Sequence, residues 1–355
     1  MKAIKNPRRV VHRIKDKLTK EYSTDVYIEE SVRIYNGNPE ARCVLFVKSK
    51  YDYGDMKRGL SFEENNFLHT LVSTGYRVVA YDPLDMAKKY GKKRANKMLV
   101  EIAHRYNVKY AFFVLFKDEI EIDTLSELKN VLKIKTFNWF TDDHFRFEKH
   151  SKIYAPFFSF VITTHKNSVS KYHDIGVSNV HLSQWGCNHY LYRNLCLDKI
   201  YDVSLVGQPH GNRHKIIGSL KDAGISVATY GYGWPSGMIS TYDMIKVFNP
   251  SKINLNLSNA SSGSVNQIKG RDFEIPCCGG FLITGEAPNI EEYYNVGSEI
   301  VVYRNINDLV DKVRYYLNNS DERELIAKSG CSRALSCHTY EKRFEEIFTC
   351  VGDDL

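Results

Sequence analysis

The densest grouping of chemically capable side chains lies between Asn254 and Thr284. Asn254-Leu-Asn256-Leu-Ser258 reads as a strand, a loop of Ser, Asn and Gly follows, and Lys269-Gly270-Arg271-Asp272-Phe273-Glu274 opens a short helix that stops at Gly279-Gly280. The first amides of a helix lack partners inside it, and the helix dipole adds about 0.3–1 kcal/mol for an anion, up to ~2 kcal/mol when partly buried. A diphosphate is the anion expected there, with Asn256 at the strand end and Lys269 and Arg271 as counter-charges. Glu274, one turn further in, would repel phosphate but accept hydrogen bonds from neutral hydroxyls of a ribose or hexose. Together these suit a nucleoside-diphosphate sugar. Equally, Asp272 and Glu274 read as ordinary acids of a first helical turn.

Two further turns follow strands upstream. Asp202-Val-Ser-Leu-Val-Gly207 ends a buried run, and His210-Gly-Asn212-Arg213 opens a helix. Gly207 lets a ligand approach the backbone, Asn212 stands at the helix start, and Arg213 either forks onto a phosphate or is a solvated arginine beside a tight turn. The loop Gly231-Tyr232-Gly233-Trp234 sets glycines beside planar rings, as a base or sugar pocket would require. Trp234 serves equally well as core packing. This G-x-G is not a dinucleotide fingerprint, which follows the first strand of its unit and opens a helix. In the first half, Asn138-Trp-Phe-Thr-Asp142-Asp143-His144 places two acids and a histidine just after a strand. Each is a candidate general base for an acceptor hydroxyl; adjacent acids also hold divalent metals, or simply cap a helix. Tyr51-Asp52-Tyr53-Gly54 with Arg58-Gly59 would border the same side.

Short apolar runs alternate with helical patterns, the signature of parallel βαβ construction. The expected strands are Arg42–Lys48, Arg77–Tyr81, Tyr110–Phe116, Lys133–Trp139, Ser159–Thr163 and Asn179–Leu182, and then, after an aperiodic stretch, 202–207, 225–230, 252–257, 280–284 and 299–303. This predicts a basic segment at 1–40, a Rossmann-like acceptor domain at 41–199, a Rossmann-like nucleotide-sugar domain at 200–337, and a final helix, 338–355, crossing back to the first domain. Two such domains facing across a cleft gather ligands at the carboxyl ends of their strands.

At 355 residues, 43% apolar and 26% charged, the chain is globular in composition and long enough for two domains. Its longest strongly apolar run, Tyr110–Phe116, is far short of the roughly 20 residues of a membrane-spanning helix. No apolar stretch after the charged N-terminus resembles a signal peptide, so a cytoplasmic protein is expected. Eight cysteines without C-x-x-C spacing suggest reduced thiols, with neither metal site nor disulfide framework. Much of the net charge of +7 comes from residues 1–20, where eight Lys or Arg face one acid. On a helix, Val10, Ile14 and Leu18 would form a stripe suited to an anionic membrane surface; a solvated tail is the alternative. Nucleic acid is not expected, because the excess sits in an arm and not along a folded face.

Val203–Gly207, Gly231–Trp234, Ser251–Asn256, Arg271-Asp-Phe-Glu274, Cys278-Gly-Gly-Phe281 and His338-Thr-Tyr340 closely resemble the group 1 glycosyltransferase domain of the spore maturation protein CgeB-like family. Asn138–His144, Arg146-Phe147 and Thr163-Thr164 resemble its partner half, so the likeness spans about residues 40–350. It implies a GT-B fold, a sugar-nucleotide donor as co-substrate with no other cofactor, no obligatory metal, and a glycan or lipid-linked acceptor. It also implies that Glu274 contacts the donor's ribose or sugar. Relatives often carry a pair of acids in an E-x7-E pattern, whereas position 266 here is Asn. Two rival readings are a sugar-nucleotide epimerase on the same fold and a non-catalytic protein that binds glycans or a membrane surface.

Overall fold

The computed structural model describes residues 25–259 and 266–352. The basic stripe expected in residues 1–20, and most of the Ser- and Gly-rich loop before Asn266, lie outside the described residues. Among those described, no helix is long and apolar enough to cross a membrane.

The chain divides into two compact units, one holding the described residues up to Gln184 together with those from Glu346, the other Trp185–Glu345. The first contains a seven-stranded sheet of β1 (Val32–Tyr35), β2 (Cys43–Val47), β3 (Arg77–Tyr81), β4 (Tyr110–Phe113), β5 (Lys135–Phe140), β6 (Phe160–Thr163) and β7 (Val180–Leu182), in the order β1-β3-β2-β4-β5-β6-β7. All neighbours are parallel except β1, which pairs antiparallel with β3. β1 is not expected from the sequence: four half-exposed residues on an edge carry too few apolar side chains to show a pattern. The central strands are covered on both faces, which is why Val44–Val47 and Tyr110–Phe113 read as unbroken apolar runs.

The second unit holds β8 (Tyr201–Val206), β9 (Val227–Tyr230), β10 (Ser251–Asn256), β11 (Leu282–Gly285) and β12 (Val301–Tyr303), all parallel, in the order β12-β11-β10-β8-β9. It starts at Trp185 and not at 200. The aperiodic stretch belongs to it because Cys187 and Tyr192 sit in its core and the Leu195 N–H donates to Asn249 Oδ1 (2.6 Å). The last helix, Tyr340–Cys350, straddles the division. Its Phe348 stacks on Tyr76 (centroids 4.9 Å apart) and meets Tyr110 and Phe137 edge-on, packing of about 1.5–3 kcal/mol for the buried ring.

Each sheet has one point where successive connections leave in opposite directions. In the first unit it lies between β2 and β4, in the second between β8 and β10. Loops at the carboxyl ends of such strands splay apart and leave a crevice. In the first unit these loops are pinned by side chains. Asp82 caps the helix at Pro83–Tyr90 and takes the Lys50 N–H (2.9 Å), while Asn138 Oδ1 accepts the Leu115 N–H (3.0 Å).

Candidate functional site

In the second unit the switch point is bridged from within. Arg213 is only 4% exposed, and its guanidinium donates to Gln208 O (2.9 Å) in the loop after β8 and to Leu257 O (2.6 Å) and Asn259 Oδ1 (3.2 Å) after β10. Burial lowers its pKa to about 10. The expectation of Arg213 as a phosphate fork is corrected accordingly, since its planar donors fasten two loops. Asn212 is exposed at the start of the following helix.

Gly207 and Gly231 close the adjoining turn by backbone contact. A Cβ on Gly231 (φ +136°) would lie 2.6 Å from Gly207 O, and one on Gly233 would lie 2.9 Å from Pro209 Cγ. Trp234 Nε1 donates to Gly207 O (2.6 Å), and its buried ring belongs to the core that includes β8 and β10 side chains and meets His214 edge-on at 4.7 Å. Trp234 is therefore a core residue and not a base platform, whereas Tyr232 is exposed on the same loop.

At the carboxyl end of β10, Asn256 Nδ2 donates to Asp272 Oδ1 (2.7 Å), which also accepts Thr284 Oγ1 (2.6 Å); Asp272 Oδ2 takes the Lys269 N–H (2.8 Å). Burial raises the Asp272 carboxyl pKa, while its three donors oppose that shift. Asn256 is thus a buried strut of the strand–helix junction and not a ligand contact. The helix itself, Arg271–Cys277, is short and contains Pro276. Its early amides are largely engaged: Asp272 N donates to Lys269 O, and Phe273 N and Glu274 N both donate to Gly270 O. The amide-lined mouth expected from the sequence is correspondingly smaller.

What remains is charge. Lys269 Nζ is anchored on Asn259 O (2.6 Å). Arg271 Nη1 forms an ion pair and hydrogen bond with Glu274 Oε2 and packs over Phe248. The Arg271 side chain is 27% exposed and Glu274 is 0% exposed, so the cation is the outer member of the pair. Arg271 Nε and Glu274 Oε1 are both enclosed and have no hydrogen-bond partner among the described residues. Unpaired groups of this kind are costly inside a protein.

Behind the pair stand residues that sequence reasoning missed. Burial, then the Glu274 carboxylate, raises the Tyr192 phenol pKa well above its usual value. Tyr340, buried close by, is raised chiefly by burial, with Glu274 contributing. His338 Nε2 donates to Tyr293 O (2.7 Å), which leaves Nδ1 to accept from Arg343 (3.1 Å), and the ring meets Phe273 edge-on at 5.3 Å. Only the His338-Thr-Tyr340 motif hinted at this support.

In the first unit, Asp143 is 1% exposed, and its Oδ2 accepts Thr163 Oγ1 (2.6 Å) and Tyr172 OH (2.7 Å). Burial raises its pKa. Asp143 therefore ties β6 and the Ser168–Asp174 helix to the end of β5, and as a base for substrate it is ruled out by enclosure. Asp142 lines a cavity instead. The His144 ring lies 6.3 Å from that of His165, whose pKa is lowered by burial and then by His144. Among the described residues, no three His, Cys, Asp or Glu side chains converge as metal ligands.

Residues 213–349 match the family described as glycosyl transferase-like. Over 252 residues the chain is 21% identical to spore protein CgeB of Bacillus subtilis (strain 168), covering 63% of this chain and 77% of that protein. Among solved structures it resembles a glycosyltransferase from Rickettsia africae ESF-5 (TM-score 0.63, 12% identity, 89% of this chain and 100% of that one). It also resembles Anabaena HepE in complex with UDP-glucose (TM-score 0.60, 11% identity, 86% and 99%) and sucrose-phosphate synthase from Thermosynechococcus elongatus (TM-score 0.59, 11% identity, 87% and 99%). The chain thus has the GT-B fold, matches the glycosyl transferase-like family over residues 213–349, and resembles CgeB over much of its length.

Proposed function

We propose that this glycosyltransferase moves a sugar from a nucleoside-diphosphate donor, held by the second unit, to a glycan, lipid-linked or protein acceptor. The observation that carries the reading is the Arg271–Glu274 pair at the carboxyl end of β10, in which a fully buried carboxylate holds a guanidinium that keeps 27% of its side chain exposed. The phosphate oxygens of a sugar nucleotide suit the part-exposed guanidinium, while the enclosed Glu274 carboxylate fixes that cation from behind. The HepE likeness supports a uridine diphosphate sugar, since that protein was solved with UDP-glucose. In the transfer, the acceptor oxygen bonds to the anomeric carbon as the bond from that carbon to the diphosphate breaks and its electron pair leaves on phosphate. Arg271 and Lys269 stabilise that charge. Asp142 and His144 are the candidates to take the acceptor's proton.

The pathway proposed for this transfer is cell-surface or spore-surface polysaccharide synthesis; that CgeB is a spore protein supports the spore setting. The eight cations in residues 1–20 support a peripheral position on the anionic cytoplasmic face of a membrane.

The test is a thermal-shift series of nucleoside diphosphates and their sugars. A ligand at 100 times its Kd stabilises the native state by about 2.7 kcal/mol. UDP or a UDP-sugar is expected to raise the melting temperature in wild type and not in Arg271→Gln, with chelator present throughout. No response to any nucleotide, or a response that Arg271→Gln retains, defeats the proposal.

A further inference from the structure

The switch point of the first unit, between β2 and β4, opens into a cavity of about 230 Å³ at the carboxyl ends of β2, β4 and β5. Crevices at such points are where open α/β sheets take ligands. This one is walled by Tyr53 and Phe116, whose rings meet edge-to-face with centroids 5.1 Å apart. Arg58 lies 4.7 Å from the Tyr53 ring centre and Arg146 lies 4.5 Å from that of Phe116, so both rings are stiffened by cations. Tyr53 is 61% exposed and has φ +53°, a left-handed conformation unusual for an aromatic residue. An exposed ring held in a strained backbone at a cavity mouth points to a contact surface.

The charges lining the cavity are largely spoken for. Asp52 Oδ2 accepts Arg58 Nε (2.9 Å), Glu63 pairs with Lys48 (3.4 Å), and the Glu119 carboxylate takes the N–H groups of Phe116 (3.2 Å) and Lys117 (2.7 Å). With Lys117 and Asp142 included, two lining cations (Lys48, Lys117) face four lining acids (Asp52, Glu63, Glu119, Asp142), which offers no surplus of positive charge for a phosphate or a uronate. Aromatic rings beside neutralised polar groups, with the Asp142 carboxylate to accept hydroxyl protons, match a ring that is apolar on its C–H face and hydroxylated at its edge. We infer that this cavity binds a neutral pyranose, the terminal sugar of the acceptor. The acceptor role rests on the glycosyltransferase reading; the sugar specificity rests on the cavity alone.

Saturation-transfer NMR on the full chain tests it, with methyl glucoside, methyl galactoside and methyl N-acetylglucosaminide as neutral probes and glucuronic acid and glycerol phosphate as anionic ones. At least one neutral glycoside is expected to give a signal, and the anions none. Tyr53→Gly keeps the left-handed backbone at no steric cost and should retain the wild-type melting temperature. It is expected to weaken glycoside binding at least tenfold, and Asp142→Asn to weaken it separately. A wild type that ignores all the neutral glycosides, a stronger signal from the anions, or glycoside binding unchanged in both variants would each overturn the inference. The UDP melting shift of the same proteins reports on the second unit, so the donor reading and this site fail independently.

Discussion

Replacing Arg213 by alanine separates a loop fastener from a phosphate ligand. The guanidinium satisfies three acceptors in two loops. Leu257 is wholly buried, so its carbonyl would be left without solvent at a cost of about 1–3 kcal/mol. Gln208 is exposed and Asn259 partly so, and water can reach their oxygens, which limits each loss to about 0.5–1.5 kcal/mol. Removing the buried cation also recovers its desolvation, which offsets part of the sum. The net expectation is about 2–4 kcal/mol, or a fall of roughly 4–16 °C in the melting temperature of a unit this size. Calorimetry gives the melting temperature, and urea unfolding followed by tryptophan fluorescence gives the free energy. Arg213→Lys, which keeps the charge but not the fork, should fall between wild type and alanine. The reasoning is refuted if Arg213→Ala melts within a degree or two of wild type while its affinity for UDP drops tenfold or more, because that is how a phosphate ligand behaves.

Asp143→Asn should keep sugar transfer within about twofold, since an amide oxygen can still accept from Thr163 and Tyr172, whereas Asp142→Asn should lower kcat by about 100-fold or more if Asp142 is the base. Initial rates with a UDP-sugar donor, normalised to folded protein, decide between them, and equal losses would reject this assignment. Acid should weaken the second unit through His338, whose pKa is lowered to about 4, first by burial and then by the neighbouring Arg343. A base with a depressed folded pKa favours the native state above its unfolded value near 6.5, and that preference is lost as pH falls from 6.5 toward 4. About 1.4 kcal/mol should be gone at pH 5.5. His338→Gln should flatten urea-derived stability across that range; an unchanged slope would contradict the neutral tautomer assigned from its partners.

The alternation of apolar runs and helical patterns determined eleven of the twelve strands among the described residues to within a few residues, because a parallel strand covered on both faces must be apolar along its length. Residue type and position after a strand also singled out Arg271, Glu274 and Asp142, which the proposed function retains. What sequence could not supply was which side chains face one another. Arg213, Trp234, Asn256 and Asp143 are as suited to a ligand as the residues beside them. They became structural only when the fold supplied Leu257 O, Gly207 O, Asp272 and Tyr172 as partners at hydrogen-bonding distance. Likewise Tyr192 and Tyr340 reach Glu274 from far along the chain, and the Tyr53–Phe116 wall joins loops after two strands that are neighbours only in the sheet. Composition and periodicity are local and survive in the sequence, whereas desolvation and pairing arise between distant segments and exist only once the sheets have closed.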